Sequence, residues 1–361
     1  MALIVQKFGG TSVGTVERIE QVAEKVKKFR DGGDDIVVVV SAMSGETNRL
    51  IDLAKQISEQ PVPRELDVMV STGEQVTIAL LAMALIKRGV PAVSYTGNQV
   101  RILTDSAHTK ARILQIDAQR IQRDIKAGRV VVVAGFQGVD EKGNITTLGR
   151  GGSDTTGVAL AAALKADECQ IYTDVDGVYT TDPRITSKAR KLDKIAFEEM
   201  LELASLGAKV LQTRSVELAM RYKVRLRVLS SFEDTDENSG TLICDEDEIM
   251  ESKVVNGVAS SRDEAKITLV TVEDRPGISA AIFAPLAEAG VNVDMIVQNI
   301  STREPGKTDI SFTLPKTDGA KAIEALDGAK AKIGFDQVRY DDQIGKLSVV
   351  GAGMRSHPGV T

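Results

Sequence analysis

The amino-acid sequence predicts an α/β fold, in which helices cover a mainly parallel sheet, followed by a smaller α+β region. Short apolar runs without alternation recur at Leu3–Val5, Ile36–Val40, Val130–Ala134 and Gln170–Thr173, which is typical of parallel strands that are buried on both faces. Segments with helical periodicity separate these runs up to about residue 230. Residues 232–252 then contain nine Asp or Glu and no Lys or Arg, and we place the domain boundary there.

Three helices are predicted before this boundary. Apolar residues three or four apart predict the first from Val13 to Phe29, and Gly32 and Gly33 are expected to end it. The second is predicted from Val76 to Lys87 and the third from Thr155 to Leu164. The third is nearly all Ala, Leu and Val, so we expect it to be buried.

After the acidic stretch the pattern changes to strands and helices in the order βαββαβ. The predicted elements are strand Lys266–Val272, helix Ile278–Ala289, strands Asn292–Ser301 and Asp309–Leu314, a helix near Ala320–Leu326 and a strand near Gln337–Tyr340. The residues from Lys346 onward repeat the first of these strands and the turn that follows it. The sequence therefore predicts an internal repeat of about 70 to 80 residues, whose second copy is only begun.

Composition and charge exclude several classes of function. With 45 Lys or Arg against 51 Asp or Glu, the net charge is −6, which lacks the basic excess that nucleic-acid binding needs. The apolar runs are shorter than the roughly 20 residues that span a bilayer, and Lys7 stands where a signal peptide would be apolar. We therefore expect no membrane segment and a cytoplasmic location. Two histidines and two distant cysteines, Cys169 and Cys244, argue against His-based triads and metal clusters.

Two glycine-rich segments each join a predicted strand to a predicted helix. In the first, Lys7 precedes Gly9 and Gly10, whose backbone N–H groups could bind phosphate oxygens; a tight structural turn is the alternative. In the second, residues 149–156, Arg150 is flanked by glycines, and its guanidinium could hold a carboxylate or phosphate through two parallel hydrogen bonds. The alternative there is a flexible turn with a Ser or Asp cap at Asp154 or its neighbour. Both segments favour an anionic ligand.

A third segment, residues 173–184, follows a strand and is rich in acids and hydroxyls. It lacks the spacing of an EF-hand, and its Asp-Gly and Asp-Pro pairs are also ordinary turn dipeptides. Their coincidence with Tyr179, Arg184 and the downstream Lys209 favours a nucleotide site, with cations for phosphates and carboxylates near Mg²⁺.

These segments, together with Ser71-Thr-Gly-Glu74, resemble the motifs of aspartate kinases in the amino-acid kinase superfamily, and the resemblance covers essentially the whole chain. The residues after the acidic stretch resemble ACT domains, which bind feedback amino acids. The resemblance implies a carbamate-kinase-like catalytic domain at 1–245, a linker or strand at 246–264, a ferredoxin-like ACT domain at 265–341, and the incomplete start of a second ACT domain at 342–361.

The resemblance further implies that ATP, with Mg²⁺, phosphorylates the β-carboxylate of L-aspartate. That carboxylate is ionised at pH 7, so the reaction needs no general base. The implied catalytic residues are Lys7 and Asp154. The implied ATP-binding residues are Lys7, Phe8, Gly9, Gly10, Thr173, Asp174, Tyr179, Thr180, Asp182, Pro183, Arg184 and Lys209. The implied substrate-binding residues are Ser41, Thr47, Glu74, Arg150, Gly151, Gly152 and Ser153; the metal ligands are unknown.

Regulation is also implied by the resemblance alone. The expected effectors are L-lysine, L-threonine or both, as end products of a biosynthetic pathway to lysine, threonine and methionine. The implied effector-binding residues are Asp274, Pro276, Gly277, Ile278, Ser279, Asn292, Gln298 and Thr361. ACT sites of this kind form where two units meet, so a homo-oligomer is expected, and a shorter regulatory chain could start at Met250.

Two other interpretations remain open at this point. The chain could be another amino-acid kinase that phosphorylates glutamate or N-acetylglutamate, although the residues from Lys7 to Val13 and the ACT-like tail disfavour this. It could instead be an amino-acid sensor with an inactive kinase domain, which the retained Lys7, Arg150 and Asp154 disfavour.

Overall fold

The computed structural model describes residues 1–208, 210–234, 239–249, 255–300 and 306–351, with only the backbone of Ile300. Contacts divide the chain into two compact units: residues 1–258 together with the chain from Val349, and residues 259–348. The domain limits that the sequence predicts at 245 and 265 remain predictions. Lys209, Met250 and Thr361, to which the resemblance assigns functions, lie outside the described residues.

The first unit alternates strands and helices, as the sequence predicts. Its helices are α1 (Val16–Asp31), α2 (Glu46–Ile57), α3 (Pro63–Val70), α4 (Thr72–Lys87), α5 (Gln119–Lys126), α6 (Gly152–Leu164), α7 (Phe197–Ser205) and α8 (Thr213–Tyr222). Its strands are β1 (Leu3–Phe8), β2 (Asp35–Val40), β3 (Ala92–Tyr95), β4 (Ile102–Thr104), β5 (Ile113–Ile116), β6 (Val130–Ala134), β7 (Gln137–Val139), β8 (Ile145–Thr147), β9 (Glu168–Thr173), β10 (Lys194–Ala196), β11 (Leu226–Ser230) and β12 (Thr241–Cys244). A 3₁₀ turn spans Glu246–Glu248.

An eight-stranded sheet with the order β10-β12-β11-β9-β1-β2-β6-β3 forms the centre of this unit. Neighbouring strands run parallel except at β11 and β12, which pair antiparallel. In the register, Lys7 of β1 lies opposite Val39 of β2 and Ile171 of β9. The carboxyl ends of β1, β2 and β9 therefore meet at one edge of the sheet, where open α/β sheets bind their ligands.

The two faces of the large sheet carry different helices. Ile4, Val38 and Val132 pack in one buried cluster with apolar side chains of α1 and α4. Lys7 points to the opposite face, where its Cβ comes within 3.3 Å of the position that a Cβ on Gly157 of α6 would occupy. Because successive strand residues alternate between faces, α6 covers the other face, and α8 packs on α6.

A second, smaller sheet has the order β5-β4-β7-β8. β4 pairs with β7 in parallel, and the other two pairs are antiparallel. Its last strand, β8, ends at Thr147 and leads directly into the second glycine-rich segment. This sheet therefore supports one wall of the candidate site.

The run from α3 to α4, Pro63–Lys87, is long and apolar enough to cross a membrane by length and composition, with a mean hydropathy of 1.6 in its most apolar window. However, 56% of that window is buried inside the unit, and α4 packs against α1, β3 and β6. A core helix passes the same test of length and composition, so the run is weak evidence for a membrane span.

The second unit contains β14 (Glu264–Glu273), α9 (Ile278–Glu288), β15 (Ile296–Ile300), β16 (Lys307–Pro315), α10 (Gly319–Gly328), α11 (Lys330–Ile333) and β17 (Gln337–Asp341), with a 3₁₀ turn at Lys316–Asp318. Its sheet is antiparallel in the order β15-β16-β14-β17. Apolar residues of β14 and β16 pack against Ile282 of α9 and Leu326 of α10. This is the ferredoxin-like arrangement that the resemblance to ACT domains implies. A separate pair of strands, β13 (Gly257–Ser261) and β18 (Lys346–Val350), forms a two-stranded sheet.

The fold class and the main elements are thus confirmed. β6 matches its predicted limits, α1 ends at Asp31 before Gly32 and Gly33, and α6 is largely buried. Two local expectations are wrong. The strand predicted from Asn292 begins only at Ile296, and the first glycine pair does not start a helix. The Thr15 hydroxyl accepts a hydrogen bond from the Arg18 N–H (3.2 Å) and caps the helix, so α1 begins only at Val16.

Candidate active site

A buried ion pair lies at the carboxyl edge of the large sheet. Lys7 stands near the end of β1, and its Nζ lies 2.5 Å from Asp154 Oδ1 in the first turn of α6. Both side chains are about nine-tenths buried. The stem of Lys7 packs across Gly157, where a Cβ would come within 3.3 Å of it. The fold therefore holds a cation and its carboxylate in place, which limits the desolvation cost of each charge.

The glycine pair after β1 does not offer two free donors. The Gly9 N–H donates to the Tyr172 carbonyl (3.3 Å) and continues the pairing of β1 with β9. The Gly9 N–H is therefore already used, and of the two glycines only Gly10 could donate its backbone N–H to a phosphate oxygen. Gly10 also approaches the next loop closely, since a Cβ there would lie 3.1 Å from the Ala42 carbonyl oxygen.

Glu74, in the first turn of α4, is a second buried charge at this edge. It is 2% exposed, and its Oε1 accepts a hydrogen bond from the Ala42 N–H (3.1 Å). Its Oε2 is buried without a hydrogen-bond partner among the described residues. Burial raises the pKa of Glu74 to about 7, because an anion with so few donors is poorly stabilised away from water. A cationic ligand would satisfy this oxygen.

The second glycine-rich segment forms a turn that only glycine adopts without strain. Gly149 and Gly151 have φ angles of +77° and +70°, and a Cβ on Gly151 would lie 1.9 Å from Gln212 Cγ. Between them, Arg150 is exposed and makes no ion pair with any described residue. The backbone therefore presents an unpaired guanidinium beside the buried pair.

These groups surround one cavity of about 470 Å³. The predicted residues that line it are Lys7, Gly9, Gly10, Ser41, Thr47, Glu74, Arg150, Gly151, Gly152, Ser153, Asp154 and Thr173. The structure thus brings the predicted substrate residues, both predicted catalytic residues and part of the predicted nucleotide set together. The lining residues that the sequence analysis missed are Thr11, Ala42, Met43, Ser44, Gly45, Phe136 and Gly149. Most of them directly follow β1 and β2, so the rule that ligands bind at the ends of parallel strands could have indicated them.

The rest of the predicted nucleotide set does not line this cavity. Tyr179 donates its hydroxyl to Asp176 Oδ1 (2.9 Å), a bond that raises the pKa of the tyrosine. Arg184 pairs with Asp182, 2.8 Å between Nη2 and Oδ2, and its side chain is 84% exposed. Thr180, Pro183 and Asp174 also lie outside the lining, although the Thr173 hydroxyl donates to Asp174 Oδ1 (3.1 Å).

Phe8 needs a correction. Its side chain is fully buried and stacks on Tyr172, with 4.5 Å between ring centroids. Because the ring belongs to the core on the α1 side of the sheet, it does not reach a nucleotide. Any contact of Phe8 with ATP would involve its backbone alone.

In the second unit, part of the predicted effector set is close together. Gln298 Nε2 donates to Asp274 Oδ1 (3.3 Å), and Gly277, with a φ of +86°, is the N-cap residue of α9. Pro276, Ser279 and Asn292 are exposed. The side chain of Ile278 is buried in the core of the unit, so only its backbone could contact an effector, and its assignment to the effector site stays a prediction.

The fold and this edge define a class of protein: a kinase of small molecules with the amino-acid kinase fold. The amino acid kinase family model matches residues 2–230, and an ACT domain model matches residues 267–329. An aspartate kinase of Stutzerimonas stutzeri is 75% identical over all of this chain, which covers 86% of that protein. The chain belongs to the aspartate kinases of the amino acid kinase family.

Solved structures agree with this assignment. Escherichia coli aspartokinase III in complex with aspartate and ADP has a TM-score of 0.81 at 28% identity, over 99% of this chain and 89% of that one. The same enzyme in complex with lysine and aspartate has a TM-score of 0.76 at 28% identity, over 97% of this chain and 87% of that one.

Proposed function

We propose that the chain transfers the γ-phosphoryl group of ATP to the β-carboxylate of L-aspartate, giving ADP and 4-phospho-L-aspartate. The observation that carries this proposal is the buried Lys7–Asp154 pair opening onto the same cavity as Glu74 and Arg150. One anion-binding and one cation-binding group thus lie beside a lysine suited to a phosphoryl group. The relative that was solved with aspartate and ADP supports the choice of substrates.

Aspartate would be recognised by its two charged ends. Glu74 would bind the ammonium group, which satisfies the unpaired Oε2 and favours the ionised carboxylate. Arg150 would bind the α-carboxylate through two parallel hydrogen bonds. Ser41, Thr47 and the backbone from Gly151 to Ser153 would enclose the molecule. This leaves the β-carboxylate directed toward Lys7.

Phosphoryl transfer requires charge neutralisation and in-line positioning rather than a base. Lys7 would stabilise the negative charge on the transferring phosphoryl group. Asp154 would fix the position of the lysine head group through their ion pair. Gly10 would add a backbone donor from the turn after β1.

The nucleotide would enter from the side of Thr173. The remaining residues of the predicted nucleotide set would then contact ATP: Asp174, Tyr179, Thr180, Asp182, Pro183, Arg184 and Lys209. Mg²⁺ usually binds through one or two carboxylates plus substrate phosphates, and among the described residues no group of three or more His, Cys, Asp or Glu forms a metal cage. Asp174, beside the cavity-lining Thr173, fits such a site; the ion would neutralise phosphate charge.

We further propose that lysine, threonine or both inhibit the activity by binding near Asp274 and Gln298 in the ACT domain, in an oligomer that joins ACT domains. The lysine complex of the relative supports lysine. A shorter regulatory chain starting at Met250 belongs to the same proposal. Both cysteines are free and buried, which suits a reducing compartment, so we propose a cytoplasmic enzyme of amino-acid biosynthesis.

The test measures ADP release from Mg-ATP with L-aspartate, L-glutamate or N-acetyl-L-glutamate, each with and without lysine and threonine. Of the three candidate substrates, we expect only L-aspartate to support ADP release. Release with glutamate or its N-acetyl derivative would assign another amino-acid kinase. Lysine or threonine binding without release on any substrate would assign a sensor.

A further inference from the structure

We propose that Asp67 and Arg214, two residues outside the cavity, are positioning residues that hold the turn carrying Arg150 in the orientation that binds the substrate carboxylate. Asp67 belongs to α3 and Arg214 to α8. They act on the same two chain segments: Ala107–Ala111, which precedes β5, and Thr147–Gly149, which leads into Arg150. The identity of the substrate in this inference rests on the proposed function. The claim that the turn is held in place rests on geometry alone.

Asp67 is a fully buried carboxylate whose donors all come from these two segments. The Thr147 hydroxyl donates to Oδ1 (2.5 Å), the Thr109 N–H donates to the same carboxylate (3.1 Å), and His108 Nδ1 lies 2.8 Å from Oδ2. A buried carboxylate is costly unless it is fully hydrogen-bonded. Its burial therefore fixes both segments to α3.

Arg214 holds the same segments from another helix. Its Nη1 donates to the Leu148 carbonyl (2.9 Å), and its Nη2 donates to the Ala111 carbonyl (2.9 Å). Burial partly desolvates the guanidinium, which lowers its pKa from the usual range, and hydrogen bonds are stronger in such an environment. Gln212, two residues earlier, packs where a Cβ on Gly151 would be.

The two segments are also joined to each other. The Ala111 N–H donates to the Thr147 carbonyl (2.9 Å). A Cβ on Gly149 would lie 3.0 Å from the Thr109 carbonyl oxygen, so only glycine permits this approach. Arg150 consequently stands between Gly149, fixed by the neighbouring segment, and Gly151, fixed against Gln212.

This arrangement explains how an exposed arginine without an ion-pair partner can be preorganised. The turn is held by its backbone, while its guanidinium stays available for a carboxylate. Preorganisation lowers the entropy lost on binding, and a displacement of about 1 Å in a binding group can cost up to about 100-fold in rate. Loss of either holding residue should therefore weaken aspartate binding more than ATP binding.

The experiment uses the full chain with Arg214→Met and Asp67→Asn, and with Arg214→Lys and Thr147→Val as milder variants. We expect Arg214→Met and Asp67→Asn to raise the KM for aspartate about tenfold, with the KM for ATP within about twofold and kcat within about threefold. Arg214→Lys, which keeps a donor, should recover part of the aspartate KM, and Thr147→Val should show a smaller rise.

Matched controls are Arg30→Met and Asp124→Asn. Arg30 donates to the Asp34 carbonyl (2.8 Å), and the buried Asp124 accepts from the Tyr95 hydroxyl (2.7 Å); neither lines the cavity. These controls should lower the melting temperature about as much as the Arg214 and Asp67 variants do. They should not raise the KM for aspartate relative to the KM for ATP. The inference is overturned if Arg214→Met and Asp67→Asn change the two KM values no more than these controls do.

A second readout does not depend on substrate. Trypsin should cleave after Arg150 about tenfold faster in Arg214→Met than in the parent chain, relative to cleavage after the exposed Arg184. An unchanged cleavage ratio would overturn the inference even if kinetics changed. If the parent chain released no ADP with aspartate, the proposed function would fail, and this ratio would still decide whether the turn is held.

Discussion

The two halves of the candidate active site are built differently. On the substrate side, three of the four charged groups are buried and fixed by the fold: Lys7 is paired with Asp154, and Glu74 is hydrogen-bonded to the loop after β2. The fourth, Arg150, is exposed but stands on a fixed backbone turn. On the nucleotide side, Arg184 is 84% exposed and pairs with its own near neighbour Asp182. The substrate half is therefore preorganised, whereas the proposed nucleotide half would have to exchange local pairs and water for the ligand.

This difference indicates where each half should be sensitive to mutation. A preorganised charge in a site of low dielectric contributes strongly to transition-state stabilisation, since it needs no rearrangement during the reaction. An exposed pair on a loop is screened by water and contributes little by itself. Mutations in the buried half should change activity by orders of magnitude, and those in the exposed half by small factors.

The largest effect is expected for Lys7→Ala. Loss of one preorganised charge-stabilising group typically lowers kcat by about 10² to 10³, and here it also leaves Asp154 without its cation. Steady-state kinetics with both substrates saturating would measure the loss. Lys191→Ala is the matched control, because Lys191 pairs with Asp176 (3.4 Å) away from the cavity. A kcat for Lys7→Ala close to that of the control would remove the lysine from catalysis.

Glu74→Gln should stabilise the fold above pH 7 and weaken aspartate binding at the same time. Burial raises the pKa of Glu74 from 4.5 to about 7, so the folded chain binds this proton more tightly than the unfolded chain does. The contribution to the free energy of unfolding is present below pH 4.5 and is lost as the pH rises to about 7. The difference between a pKa of 4.5 in the unfolded chain and about 7 in the folded chain corresponds to about 3 kcal/mol.

Glutamine cannot ionise, so the variant should be more stable than the parent at pH 8 by up to about 3 kcal/mol and nearly equal to it at pH 4.5. Denaturant titrations at the two pH values would test this. Glu46→Gln, which removes a carboxylate paired with Arg49 at the surface, is the control without such a gain. Equal stability of parent and variant at both pH values would contradict a buried, poorly solvated carboxylate.

The same variant should lose affinity for aspartate. In the parent chain, protonation of Glu74 removes the charge that binds the ammonium group, so the KM for aspartate should rise as the pH falls below about 7. In Glu74→Gln the KM should be high throughout and independent of pH in this range. A parent KM that stays flat from pH 6 to 8 would place the ammonium group elsewhere.

Arg150→Lys tests the intermediate case of an exposed side chain on a fixed backbone. A lysine keeps the charge but cannot form two parallel hydrogen bonds with a carboxylate, so we expect the KM for aspartate to rise about tenfold and kcat to change little. Arg129→Lys, where an exposed arginine pairs with the buried Asp124 away from the cavity, is the control. An unchanged KM would move Arg150 out of the substrate site.

The sequence predicted the part of the molecule in which local pattern and tertiary structure agree. The strands β2 and β6 are almost entirely apolar and β1 begins with an apolar run, and the glycine-rich segments carry their chemistry in consecutive residues. The small sheet was missed because its strands are three or four residues long and not continuously apolar. Nothing local distinguishes so short a strand from a loop.

The supporting residues were missed for a different reason. Asp67 meets Thr147 across 80 positions of sequence, and Arg214 meets Leu148 across 66. Their role exists only once α3 and α8 are packed around the same turn. Likewise, the motif at residues 173–184 gave no indication that Tyr179 and Arg184 bond to acidic residues of the same motif outside the cavity. Local hydrogen bonds of this kind compete with other arrangements of the same side chains.

The smallest effect is expected for Arg184→Ala, which tests the exposed half directly. Arg184 is solvated and already paired with Asp182, so the gain from binding a phosphate is largely offset by the loss of that pair and of water. We expect the KM for ATP to rise only about two- to threefold, with kcat and the aspartate KM unchanged. Lys188→Ala, on the same loop, is the control. A rise of tenfold or more would show that the nucleotide half reaches a desolvated arrangement on binding, and the contrast between the two halves would then hold only for the free protein.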